Sequence, residues 1–113
     1  VDCVGDLDAN AYDDVHVGAD GAAVYEFRSN SAGPAARPGW TRCIAPPLDA
    51  AGFGLSIHGT GRMTSDTNGG FAIGAPGSSG AYFYLGAASG AATTPPTTTF
   101  PGPPGSGFGH VVN

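Results

Sequence analysis

The chain has 113 residues, 20 of them glycine and 10 proline, and nine acidic side chains against four basic ones leave it at −5. Such a balance cannot supply a basic face for nucleic acid and disfavours anionic membranes, and no apolar run is long enough to cross a bilayer as a helix. Glycine or proline interrupts every helical candidate, whereas 41% hydrophobic and 10% aromatic residues suffice for a core, so the composition points to short strands and tight turns in one small all-β domain.

In chain order, "GDLDANAYDDVHVGA" (5–19) opens on a polar turn and becomes a strand. "AAVYEF" (22–27) reads as the next strand and "GWTRCIA" (39–45) as a weaker outer one. "FGLSI" (53–57) then starts a second round, continued by "GFAIGA" (70–75), "AYFYLG" (81–86) and an outer "PTTTFPG" (96–102). The second round repeats the first. Phe53 to Phe108 is a step of 55, "VGA" (17–19) to "IGA" (73–75) a step of 56, and Gly5 and Gly61 each precede a polar turn. "AAVYEF" answers "GAYFYL" two residues later still, across a longer turn. Four short strands at this period describe a propeller blade.

The motif order F-G, G-D-x-D, Y-D-D-V-x-V-G-A and V-Y-x-F resembles the FG-GAP repeat, and the second round carries that family's G-A-P at residues 74–76. Asp20 stands where the first round would have the proline. The resemblance implies an all-β chain of two four-stranded antiparallel β-propeller blades, 1–52 and 53–107. Residues 108–113 would begin a further strand, so that one first strand is split between the chain termini. Two blades cannot close a ring. Self-association through the open blade faces and the 108–113 strand, or a place within a longer chain, would cover the exposed apolar surface.

The charge-poor chain concentrates its acids in one turn, where like charges repel unless something positive sits among them or they are fully solvated. Asp6, Asp8, Asn10 and Asp14, with the Tyr12 carbonyl between, follow the alternation by which short loops offer oxygen to calcium. They match the FG-GAP loop position by position, with Asp13 directed away. An oxygen-only set favours calcium over zinc or copper. Ala9 and Ala11 stand where the family usually has glycine, at about 1 kcal/mol or more each if the backbone needs positive φ. The second turn offers Arg62, Thr64, Asp66, Asn68 and Gly70, which lacks the charge to hold a divalent ion. There Arg62 is expected to act as an internal cation beside Asp66. One Ca2+ site is expected, in the first blade.

Cys3 and Cys43 are an even pair and a candidate disulfide. Within one blade they fall on inner and outer strands, too far apart to bridge, so a link between blades or chains, or two separate thiols, stays open. His16, His58 and His110 show no ligand spacing, and His16 is expected to fill a position between blades. "TTPPTTTFPGPP" (93–104) suits an outer strand with its loops better than a glycosylated stalk. No catalytic constellation emerges. The expectation is a calcium-binding, non-enzymatic, secreted or cell-surface propeller module of adhesion type that binds a protein or other ligand. The alternatives are a self-assembling scaffold or extracellular filament, and a propeller lectin with Trp40, Tyr82 and Tyr84 as sugar-stacking faces.

Overall fold

The computed structural model describes residues 1–19, 21–34, 42–47, 49–62, 69–86 and 96–112. Strands β1 (Asp2–Gly5), β2 (Asp14–Ala19), β3 (Ala23–Phe27) and β6 (Arg42–Ile44) form one antiparallel sheet in the order β1-β2-β3-β6. Strands β7 (Ser56–Gly61), β8 (Gly70–Ala75), β9 (Gly80–Leu85) and β10 (Thr98–Pro101) form a second in the order β7-β8-β9-β10. A small hairpin, β4 (Ser29–Asn30) with β5 (Gly33–Pro34), lies between β3 and β6. The only helical turn among the described residues is Pro76–Ser78. Two four-stranded antiparallel sheets are thus present, and neither closes on itself. The Thr/Pro tract supplies the exposed edge strand β10, as its composition suggests.

The sheets are copies of one another in detail. β1 and β7 both end in a bulge, at Cys3/Gly5 and Gly59/Gly61, and Gly5 and Gly61 both take positive φ, 81° and 67°. Cross-strand pairs refine the sequence alignment. Val15 pairs with Phe27 and Phe71 with Tyr84, so β2 maps to β8 by 56 residues and β3 to β9 by 57. The third strand is therefore displaced by one residue rather than two.

The "GFG" segments are turns, which corrects the reading of "FGLSI" as a strand throughout. Gly52 and Gly54 hold φ of 77° and 89°, Gly107 and Gly109 hold 70° and 90°. The Leu55 N–H donates to the Gly52 carbonyl at 3.1 Å and the His110 N–H to Gly107 at 3.0 Å. Strand β7 begins only at Ser56, and residues 108–112 form no strand. Within the chain, β1 pairs with β2 from Asp2 onward.

The sheets stack face to face. Val4, Leu7, Val24 and Ile44 from the first half meet Phe71, Ile73, Tyr82 and Tyr84 from the second, with Phe53 from the linking turn between them. His16 is fully buried there, its ring edge-on to Phe71 at 4.4 Å, which places it between the sheets as expected. Phe71 in turn stacks on Tyr84 at 5.2 Å. The stacking is close because backbone meets backbone. A Cβ on Gly18 would collide with the Gly54 carbonyl, and one on Gly59 with the Val4 backbone.

Cys3 and Cys43 are both free thiols. They sit on β1 and β6, opposite edges of one sheet, and three strand spacings of about 4.8 Å exceed the reach of a disulfide. The Cys3–Cys43 bridge within the chain is therefore not formed.

Gly18→Ala and Gly59→Ala are each expected to cost about 2–3 kcal/mol of stability, since rigid backbone has to yield. Urea unfolding measures this, and losses below about 0.5 kcal/mol would show that the sheets are not in backbone contact.

Candidate functional site

The acidic turn runs from the bulged end of β1 to the start of β2, and its short polar side chains fold it by bonding their own backbone. Asp6 Oδ1 accepts from the Asn10 N–H at 3.0 Å and Oδ2 from the Ala11 N–H at 2.7 Å. Asn10 Oδ1 accepts from the Tyr12 N–H at 2.9 Å. This winding needs left-handed backbone at alternate positions, and Ala9 and Ala11 supply it at φ of 62° and 75°. Both alanines thus occupy the conformation that favours glycine.

Asp14, fully buried, ties the turn to two neighbours. Its Oδ2 accepts from the Leu7 N–H at 3.0 Å and its Oδ1 from the Ser29 N–H at 2.9 Å. Leu7 anchors the turn in the core, and the Asp6 carbonyl accepts from the Gly69 N–H of the second half at 3.0 Å. From the other side, Asn10 Nδ2 donates to the Ser29 carbonyl at 3.0 Å, so the β4–β5 hairpin closes against the turn.

Within this frame Asp6, Asp8 and Asp14 each present a carboxylate oxygen within 4.8 Å of the others. These are three of the five expected ligands. Asn10 is engaged as described, and Tyr12 is largely exposed with its N–H given to Asn10. Asp13 lies outside the cluster, facing the Cys3 thiol at 3.9 Å.

The sequence reading missed the cation that borders this cluster. Arg28 Nη1 reaches Asp8 Oδ2 at 2.7 Å, while its Nε donates to Glu26 Oε1 at 2.7 Å. Glu26 is fully buried, and its Oε2 lies 3.3 Å from His16 Nε2. A polar chain therefore runs from the turn into the space between the sheets. Glu26 and Arg28 are two residues apart on extended chain and share a face, which was the available signal. Asp8 Oδ1 remains buried without a hydrogen-bond partner.

Electrostatics divide the acids. Burial pushes Asp6 up, but the N–H groups of Ala11, Asn10 and Ala9 outweigh it and hold its carboxyl below the usual range. For Asp14 burial wins. Its pKa is raised despite the Ser29 and Leu7 N–H groups, and the charge of Asp8 adds to the rise. For Glu26 burial is again the largest effect, yet hydrogen bonds from His16 and Arg28 overcome it and lower the pKa.

In the second half, Gly70 takes the place of Asp14 at the start of its strand, pairing with Gly61 as Asp14 pairs with Gly5. A Cβ at Gly70 would lie 2.9 Å from the Phe83 ring and from Thr60 Oγ1, so a side chain there would have to displace them. Arg62 is exposed. Its expected partner Asp66, like Thr64, Asn68, Asp20 and Trp40, lies outside the described residues. Tyr82 and Tyr84 are core side chains, at 8% and 0% exposure, which corrects their assignment as sugar-stacking faces. No helix among the described residues is long and apolar enough to cross a membrane.

Neither protein-family models nor curated proteins match this chain.

Replacing Ala9 and Ala11 by glycine is expected to stabilise the protein by about 1 kcal/mol per site, read by urea unfolding, and a loss would contradict the left-handed assignment. Glu26 has a lowered folded pKa, so its contribution is fully present above the unfolded value and vanishes as pH falls through the folded one. Glu26→Ala should cost about 3–5 kcal/mol at neutral pH and flatten the acid limb of a stability–pH curve. An unaltered acid limb would show the network to be energetically idle.

Proposed function

We propose that this chain is a calcium-stabilised, non-catalytic binding module made of propeller-type blades of the FG-GAP kind, working outside the cell. The observation that carries the reading is the convergence of Asp6, Asp8 and Asp14 oxygens within 4.8 Å, with Asp8 Oδ1 buried and unpartnered. A divalent ion there would satisfy that oxygen and offset the burial, and the lesser charge of Asp8, that raise Asp14. Arg28 offsets only part of the charge, since it also serves Glu26.

The donor set fits a hard cation: carboxylates, with amide and carbonyl oxygens at hand in Asn10 and Tyr12. Asp6, Asp8 and Asp14 would hold the ion, and its chemistry would be electrostatic cross-linking of the turn. The chain's own residues do the rest. Leu7 and the Gly69 N–H fasten one side of the turn to the core, and Ser29 fastens the other to the hairpin. The ion's role is thus architectural, giving a rigid surface loop for a partner to read.

Calorimetric titration with calcium, paired with thermal melts in calcium and in chelator, tests this. Binding at one site and stabilisation of about 2.7 kcal/mol at a hundredfold excess over Kd are expected, with both lost in Asp8→Asn. No heat and identical melting curves would refute the reading.

A further inference from the structure

Asp8 differs from the other two acids of the turn in how its oxygens are used. Asp6 has both carboxylate oxygens on backbone N–H groups, those of Asn10 and Ala11, and Asp14 has both on those of Leu7 and Ser29. Asp8 instead has the Arg28 guanidinium on Oδ2 at 2.7 Å, and its Oδ1 is buried without a partner. One carboxylate thus stands between an internal cation and the point where the three acids converge.

Arg28 is held there from behind. Its Nε donates to Oε1 of the fully buried Glu26 at 2.7 Å, and Glu26 Oε2 lies 3.3 Å from His16 Nε2. Arginine suits the place, because its planar fork serves two carboxylates at once and its charge is permanent. With only 13% of the side chain exposed, salt screens its field on the turn weakly.

The repeat shows that the acids and this cation go together. By the offset of 56, Asp6, Asp8 and Asp14 correspond to Arg62, Thr64 and Gly70, and by that of 57, Glu26 and Arg28 correspond to Phe83 and Leu85. Where the acids are absent, so is the glutamate–arginine pair. The strands do not require the pair, since Phe83 and Leu85 hold the same positions in a sheet of the same strand order.

We infer that Arg28 sets the charge that the acidic turn presents to an ion, bringing three carboxylates to a net of −2, so that the turn suits a divalent cation and disfavours a trivalent one of similar size. The inference rests on the proposed ion site and assigns its selectivity to a residue outside the ligand set. The ion would take Asp8 Oδ1 while Arg28 keeps Oδ2, so its entry displaces no partner of Asp8. Ion and guanidinium repel each other in proportion to the ion's charge. Without an ion, the same contact keeps Asp8 paired.

Calorimetric titration of the 113-residue chain with calcium and, separately, with terbium(III) tests this in wild type and in Arg28→Met. Loss of the guanidinium is expected to tighten calcium about tenfold and terbium about thirtyfold, the logarithms following the ionic charges. A residue that merely positions Asp8 would, when removed, weaken both ions by one factor. Equal changes for the two ions, or weaker terbium binding, would overturn the inference and leave the ion site standing. Binding of neither ion to wild type would overturn it together with the reading on which it rests. Because Arg28→Met strands the buried Glu26 charge, the double variant Glu26→Gln, Arg28→Met is measured beside it. That variant should shift toward terbium in the same direction, and a wild-type ratio in the folded double variant would also overturn the inference.

Discussion

Everything in this fold depends on backbone touching backbone where side chains are missing. Gly18 under the Gly54 carbonyl and Gly59 on Val4 bring the sheets together closely. Between them Phe53, Phe71 and Tyr84 are fully buried. Glycine in a strand ordinarily weakens it. Here that weakness is offset by the apolar area removed from water, roughly 25 cal/mol for each Å2. The high glycine content is thus a property of the interface as much as of the turns.

The same interface contains a charge network that an apolar core would avoid. His16 and Glu26 are fully buried, and Arg28 carries the chain of contacts outward to Asp8 at the acidic turn. A buried ion pair is weak evidence of stability in itself, yet removing one partner is costly because it strands the other. The arrangement therefore couples the turn to the packing of the sheets. The second sheet lacks this device: Ala72 and Phe83 occupy the places of His16 and Glu26, and Gly70 replaces the carboxylate of Asp14. The halves share a backbone but not a chemistry.

Much of this was legible in the residues. Strand order followed from period-2 alternation between turn signals, and the duplicated "GFG", "VGA/IGA" and polar turns announced two like units. Ala9 and Ala11 read as strained glycine substitutes, and their positive φ agrees. Two features were not legible. "FGLSI" looks like a strand because Phe, Leu and Ile dominate it, but Gly52 and Gly54 bend its start into a hydrogen-bonded turn. For Arg28 the period-2 spacing offers only its shared face with Glu26, whereas its contact with Asp8 spans twenty positions of the chain. Long-range contacts of that kind carry no local periodicity.

The acidic turn and the hairpin form one unit tied to the inter-sheet network, and we propose that an ion organises it. Amide hydrogen exchange measured residue by residue, with calcium and with chelator, probes it most directly. The account predicts added protection on calcium at the Leu7, Asn10, Ala11 and Ser29 amides, the donors to Asp6 and Asp14, and little change in the second sheet. Protection that is unchanged, or that rises evenly over both sheets, would contradict it.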